Sequence, residues 1–252
     1  MSDPHADRQK RDKVRRMFAA IAPAYDLNNR LHSLGIDLFW RRQTVRMAGI
    51  RPGEHAVDVA CGTGDLTLAL AKAGPGRVTG VDFTYEMLPI AGRKTRRRRG
   101  AGCPVSYVTG DAQALPLADA CCDVVTIAFG IRNVQDVSAA LREFRRVLRP
   151  GGRLVILEFS QPSVPLLGAL YRWYSTRLMP WTATWVARDR SGAYRYLPSS
   201  VATFLTPDEL MRRMALAGFS RVVARPLTLG VVTVYRGEVP AGDGGRGTEG
   251  QV

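Results

Sequence analysis

Cysteine is scarce in this sequence: four in 252 residues, at Cys61, Cys103, Cys121 and Cys122. They show no paired C-x-x-C spacing and lie in or near segments read as strands, so reduced core thiols are expected and no metal site or disulfide framework. Long apolar runs are also missing. No run reaches the length of a membrane span, and Met1-Ser2-Asp3-Pro4-His5 lacks the apolar core of a signal peptide, so a cytoplasmic protein is expected. Lysine is nearly absent, since Lys10, Lys13, Lys72 and Lys94 are the only four among 36 basic residues. Against 22 acids the formal charge is +14, an arginine excess that favours a polyanion or an anionic membrane face. Its densest run, Arg93 to Arg99, reads as a solvated helix end whose cations complement the helix dipole. That leaves weak peripheral attraction to the inner face of the membrane rather than a specific polyanion site. No internal repeat is visible.

With 46% hydrophobic residues, the chain can bury the core of one α/β domain. Residues 1–10 and the glycine-rich tail 238–252 read as disordered, and 11–237 as one domain with a helical cap. Strands are expected near 55–60, 77–82, 105–109, 122–128, 153–159, 219–225 and 230–236. Helices are expected near 11–21, 36–48, 65–73, 84–93, 137–148, 165–178 and 207–217. The last two strands have no clear crossover between them, which suggests a closing hairpin and a mixed sheet.

The most informative stretch is Val57-Asp58-Val59-Ala60-Cys61-Gly62-Thr63-Gly64-Asp65, followed one strand-helix-strand unit later by Val78-Thr79-Gly80-Val81-Asp82. An apolar strand entering a glycine turn and a helix, then a strand ending in an acid, is the arrangement that binds an adenine nucleoside. Gly62 and Gly64 let the backbone turn and approach a ligand, and Asp82 stands where a carboxylate accepts both ribose hydroxyls. The third glycine of G-x-G-x-x-G is absent, its place taken by Thr67. Asp58 and Asp65 beside the turn repel a pyrophosphate but suit a sulfonium and an ammonium. S-adenosylmethionine (SAM) is therefore the expected ligand. Asp111, ending Val105-Ser106-Tyr107-Val108-Thr109-Gly110-Asp111-Ala112, falls third in the series of strand-terminal acids, beside the adenine. The expected fold is a single Rossmann-like, seven-stranded class I SAM-dependent methyltransferase domain, with an N-terminal helical cap and an insertion before the sixth strand.

Four further segments carry a family resemblance, the first and the last two specifically, whereas the Pro150-Gly151-Gly152 turn of the second recurs in many methyltransferases. Tyr25-Asp26-Leu27-Asn28-Asn29-Arg30-Leu31-His32-Ser33-Leu34-Gly35-Ile36-Asp37-Leu38-Phe39-Trp40 and Arg146-Val147-Leu148-Arg149-Pro150-Gly151-Gly152-Arg153-Leu154-Val155-Ile156-Leu157-Glu158-Phe159-Ser160 resemble the two signatures of the ubiquinone/menaquinone biosynthesis C-methyltransferases. Phe129-Gly130-Ile131-Arg132-Asn133-Val134 and Tyr194-Arg195-Tyr196-Leu197-Pro198-Ser199-Ser200-Val201 agree with the same family. The resemblance spans about residues 14–237 and implies that Thr63, Asp82, Asp111 and Ala112 contact SAM. The sequence departs from the family at Leu27 and Arg149, and at Asp37, where histidine is frequent. It departs also at Ala128, often serine, which removes one possible hydroxyl contact to SAM.

The resemblance implies methyl transfer to a ring carbon, which requires an electron-rich acceptor, so the substrate is a quinol and not a quinone. Removing a phenolic proton activates the ortho carbon, and a positioned base contributes about 10²–10⁴-fold. Arg132 and Asn133, just past the fourth strand, are candidates to hold the phenolate. Tyr25, Asp26 and His32, with Tyr194 and Tyr196, are candidates to close the pocket and relay the proton. Residues 165–181 place Leu166, Leu170, Trp173 and Leu178 on one helical side, for a polyprenyl groove, an interface or ordinary packing on the sheet. The partners expected are a prenylated quinol, most closely demethylmenaquinol, and an anionic membrane face, with a homo-oligomer left open. A ubiquinone-pathway acceptor and another small aromatic remain as alternatives. A nucleic-acid methyltransferase is disfavoured, because the fourth strand ends in Ala128-Phe129-Gly130 instead of Asn/Asp-Pro-Pro-aromatic and no proline precedes a cysteine.

Overall fold

His55–Val59, Cys122–Ala128 and the second half of Leu148–Phe159 are rich in valine, isoleucine and leucine and are buried nearly throughout, the pattern of strands covered on both faces. In the computed structural model they form the middle of a seven-stranded sheet. The structure describes residues 14–22, 25–98, 102–160 and 193–241. The expectations for residues 1–10, for most of the tail and for the helix near 165–178 lie outside the described residues.

The strands are β1 (His55–Val59), β2 (Arg77–Asp82), β3 (Val105–Thr109), β4 (Cys122–Ala128), β5 (Leu148–Phe159), β6 (Ser220–Leu227) and β7 (Val232–Glu238). Their order is β3-β2-β1-β4-β5-β7-β6. The first five are parallel, and β7 runs antiparallel to both β5 and β6. The expected hairpin closes the sheet, with its second strand inside and Pro226 on the edge strand β6, where a missing N–H is tolerated. The last strand reaches past the expected tail boundary: Glu238 pairs with Arg153 and Val239 is buried.

The helices are α1 (residues 14–21), α2 (Tyr25–His32), α3 (Ile36–Ala48), α4 (Asp65–Lys72), α5 (Leu88–Arg97), α6 (Val137–Val147), α7 (Ala193–Ala202) and α8 (Pro207–Leu216). Neither α2 nor α7 was expected as a helix. The polar Asn28-Asn29 pair blurs the apolar periodicity of α2, and Pro198 stands inside α7, where proline usually ends a helix. The expected helix at 84–93 begins later, after the turn Tyr85–Met87, and continues into the basic run.

Strand alternation sends Ala56, Val78, Val124, Val155 and Val234 to one face, against Trp40 of α3 and Leu66 and Leu70 of α4. Val57, Val81, Val125, Ile127 and Ile156 face the other way, against α6 and α8. Helix α6 presents Val137, Ala140, Leu141, Phe144 and Val147, an i, i+3, i+4, i+7 stripe, and is capped by Asp136, which accepts the Ala139 amide at 2.9 Å.

The chain winds outward from β1 to β3 and then crosses to β4. The carboxyl ends of β1 and β4 therefore part, the place where open α/β sheets bind ligands. Ala60 and Phe129, the residues leaving these two strands, have φ of 51° and 58°, a left-handed conformation that costs energy in L-residues and is often held at functional sites. Gly130 makes the pair possible. A Cβ there would lie 2.5 Å from that of Ala60.

Candidate methyl-donor and acceptor site

At the parting of β1 and β4 lies an open cavity with about 950 Å³ of empty space, its open mouth included. Its floor is Ala60 and Gly62 after β1, Asp82 to Thr84 after β2, Gly110 to Gln113 after β3 and Ala128 to Gly130 after β4. Arg15 and Phe18 of α1 and Tyr25 of α2 form its roof, and Asn133 part of its wall.

Asp82 organises the floor. One carboxylate oxygen accepts the Gly62 amide and the other the Thr84 amide, each at 2.7 Å. Burial pushes its pKa up, against the two amides, which favour the charged form. A carboxylate offers about four acceptor positions. The two left over fit a ribose diol, and the left-handed Gly62 (φ 54°) brings backbone close to the same ligand. With Asp82 and Asp111 both in the wall, the donor set suits a cationic nucleoside and opposes a pyrophosphate. The site thus fits SAM, and Asp82, Gly62, Asp111 and Ala112 share one cavity.

Asp58 and Thr63 stand elsewhere. Asp58 is buried beneath the turn, where its oxygens accept the hydroxyls of Thr67 at 2.6 Å and Thr126 at 2.8 Å. Burial pushes its carboxyl up to about 6. It braces the turn from below and is not part of the cavity wall. Thr63 points to the cap, donating to Asp26.

The residues expected to act on the acceptor divide in the same way. Tyr25 and Asn133 line the cavity, and Asn133 Oδ1 is buried with no hydrogen-bond partner among the described residues. Arg132 does not line it. Its Nη1 donates to the Phe129 carbonyl at 2.6 Å and to Glu158 Oε1 at 2.7 Å, its Nε faces Ser200 of α7 at 3.3 Å, and its guanidinium lies over the Phe159 ring. Expected to hold a phenolate, Arg132 is instead paired with an acid on β5. Tyr196 packs with Tyr25 and Phe18 against Met17 and Ile21 in the cap, and burial raises its pKa. The side chains of His32 and Tyr194 lie outside the described residues. Asp37 is buried and accepts from Ser33 at 2.9 Å, whereas Ala128 does reach the cavity.

Asp26 belongs to a charged cluster behind the roof. Lys94 Nζ donates to Asp26 Oδ2 at 2.7 Å and Asp65 Oδ1 at 2.6 Å, with Thr63 Oγ at 3.3 Å, so its three protons join α5 to α2, to the glycine turn and to the start of α4. Burial pushes the Asp65 carboxyl up, but Lys94, Arg41 and Arg30 outweigh it and hold the pKa below its ordinary value. In the sequence, Lys94 sits in a basic run that reads as a solvated helix end. The signal that singles it out is position: Ala91 is buried, and Lys94 and Thr95 follow at i+3 and i+4 on the same face. Arg15, the guanidinium that does line the cavity, was also missed. It lies in a helix with no motif to mark it.

Comparison with known proteins bears on the whole chain. The family model described as the ubiE/COQ5 methyltransferase family matches residues 6–238. The demethylmenaquinone methyltransferase of Thermus thermophilus is 48% identical over 225 residues, covering 89% of this chain and 100% of that protein. A ubiquinone/menaquinone biosynthesis C-methyltransferase UbiE of Syntrophotalea carbinolica is 45% identical, covering 89% of this chain and 93% of its own length. Among solved structures, a SAM-dependent methyltransferase from Thermotoga maritima, a possible histamine N-methyltransferase, superposes with a TM-score of 0.62 at 23% identity, covering 88% of this chain and 98% of that one. A SAM-dependent methyltransferase from Aquifex aeolicus gives 0.58 at 19% identity, covering 81% and 92%. These structural likenesses establish the fold alone.

Proposed function

We infer that this chain, which belongs to the ubiE/COQ5 methyltransferase family, is a SAM-dependent C-methyltransferase of quinone biosynthesis, and that its acceptor is demethylmenaquinol. The choice of acceptor rests on the Thermus relative, matched along its entire length. The observation that carries the chemistry is the Asp82 carboxylate, anchored by the Gly62 and Thr84 amides at the cavity floor with acceptor capacity left for a ribose. SAM supplies an electrophilic methyl on a sulfonium.

The protein's part is to hold donor and acceptor and to keep the acceptor electron-rich. We assign Asp82, Gly62, Asp111 and Ala112 to the donor, with Asp58 and Thr63 bracing the turn. Asn133 Oδ1, buried and lacking a partner among the described residues, accepts a phenolic hydroxyl. Such an acceptor matches a quinol and not a quinone, whose ring oxygens carry no proton. Arg15 is the cation beside the developing phenolate: it is positioned at the roof, and its own link to Glu86 is a loose 3.8 Å contact between half-exposed side chains. Tyr25 closes the pocket with Phe18. Arg132 acts at one remove, fixing Phe129 and the β4 turn. A cytoplasmic enzyme meeting its lipid acceptor at the membrane completes the reading, and no helix among the described residues is long and apolar enough to cross a bilayer.

The test is transfer of labelled methyl from SAM to short-chain demethylmenaquinone, with and without dithionite, alongside a ubiquinone-pathway acceptor. Product only under reducing conditions, and faster with the naphthoquinol, is expected. Equal turnover of oxidised and reduced acceptor would overturn the mechanism, and preference for the benzoquinol would move the assignment within the family.

A further inference from the structure

The cap turns an apolar face outward. Leu27 and Leu31 of α2 and Leu34 in the following turn stand at i, i+4 and i+7, and Leu27 and Leu34 are 62% and 83% exposed. Ile36 and Phe39 at the start of α3 continue the exposed apolar surface. Leu34 is the least expected of the five. It has φ of 51°, so the chain holds a bulky aliphatic residue in a left-handed conformation and gains no packing for it. Strain retained without a structural return is often functional.

The charge that these two helices turn outward has one sign. Past Phe39, Arg42 and Arg46 are exposed at i+3 and i+7 on one face of α3. The only acids in α2 and α3 are committed inward: Asp26 to Lys94, and Asp37, buried, to Ser33 and Arg41. An apolar stripe beside cations, with no outward carboxylate, is the pattern of a surface that lies on an anionic interface. It is also placed for use. Tyr25, on the opposite side of α2 from Leu27, lines the cavity, so the helix that faces outward with leucines is the roof of the acceptor site.

We propose that the outer face of α2 and α3, with Leu34 at its tip, docks on an anionic lipid bilayer and brings the cavity mouth to the membrane that holds the acceptor. The proposal rests on the reading of the acceptor as a prenylated quinol. The bilayer is favoured over a second copy of the chain because two copies of this face would bring Arg42 and Arg46 against like charges.

The experiment uses the full chain and sedimentation with vesicles of phosphatidylcholine mixed with phosphatidylglycerol, against phosphatidylcholine alone. Leu34→Ser and Phe39→Ser should each weaken partitioning onto the anionic vesicles by roughly ten-fold, the worth of one buried apolar side chain. Arg42→Glu should weaken it on those vesicles and not on neutral ones. Turnover of a short-chain quinol without vesicles should match the parent in all three variants. That control reads the enzymatic assignment separately: if the parent methylates no quinol, the function fails, whereas normal turnover with failed partitioning sinks the docking face alone. Parental partitioning in Leu34→Ser, partitioning indifferent to phosphatidylglycerol, or a parent dimer that Leu34→Ser dissociates without changing vesicle binding, would each overturn the proposal.

Discussion

Arg132 and Glu158 form a buried ion pair, Nη1 to Oε1 at 2.7 Å, with side chains 5% and 0% exposed. The same carboxylate accepts the Phe159 amide at 2.8 Å, and the same guanidinium donates to the Phe129 carbonyl. The pair therefore clamps β5 to the strained turn after β4.

Removing one member of such a pair leaves a buried charge uncompensated, which typically costs about 3–5 kcal/mol. Arg132→Ala should lose that order of stability in denaturant unfolding, along with activity, and Arg132→Lys should recover part of both. Arg15→Ala, whose ion pair is exposed, should change stability by less than about 1 kcal/mol while lowering kcat/KM for the quinol. Parental stability in Arg132→Ala would return that arginine to a direct role on the acceptor.

Asp82→Ala removes the two acceptors that fix the turn, together with the contact proposed to the ribose. Hydrogen bonds to a charged group contribute about 1.5–3 kcal/mol each, so SAM affinity should fall ten-fold or more. Calorimetry on a variant shown to be folded by circular dichroism checks this. Unchanged affinity would place the nucleoside elsewhere.

Asp58 predicts a pH dependence opposite to that of most carboxylates. Its folded pKa, raised by burial to about 6, lies above the ordinary 3.8, so the folded state holds the proton more tightly than the unfolded one. Its contribution is full below pH about 4 and is lost as pH rises towards 6, by about 3 kcal/mol at about 1.4 kcal/mol per unit. Subtracting the stability profile of Asp58→Asn from that of the parent isolates this component. A difference profile that rises over the same window would contradict it.

Lys94 ties the cap to the glycine turn through Asp26 and Asp65. Lys94→Met should raise KM for SAM several-fold with a smaller effect on kcat, because the cap no longer seats on Thr63. Asp26→Asn should do the same, and the double variant should fall short of the sum, as neighbours in one network do. Additive effects in that cycle would separate the cap from the donor site.

Much of this architecture is local and was legible in the sequence. The apolar residues Val57, Val59, Val124, Val125, Ile127 and Ala128, the glycine turn and the acid ending β2 act through spacing and conformational preference, so the sheet, the cavity floor and the place of Asp82 follow from the residues themselves. What a side chain meets across the fold does not. Asp58 and Asp82 look alike as strand acids, but alternation along β1 sends one to Thr67 and Thr126 below the turn, and the end of β2 brings the other to the cavity. Lys94 and its arginine neighbours carry one charge, and only the seating of α5 beside α2 and α4 turns the lysine inward to Asp26. Arg132 was placed correctly after β4 by its motif, yet its partner lies 26 residues on, on a strand whose adjacency to β4 exists only in the assembled sheet. Pairing of charges at long range depends on burial and distance, and both are properties of the tertiary structure.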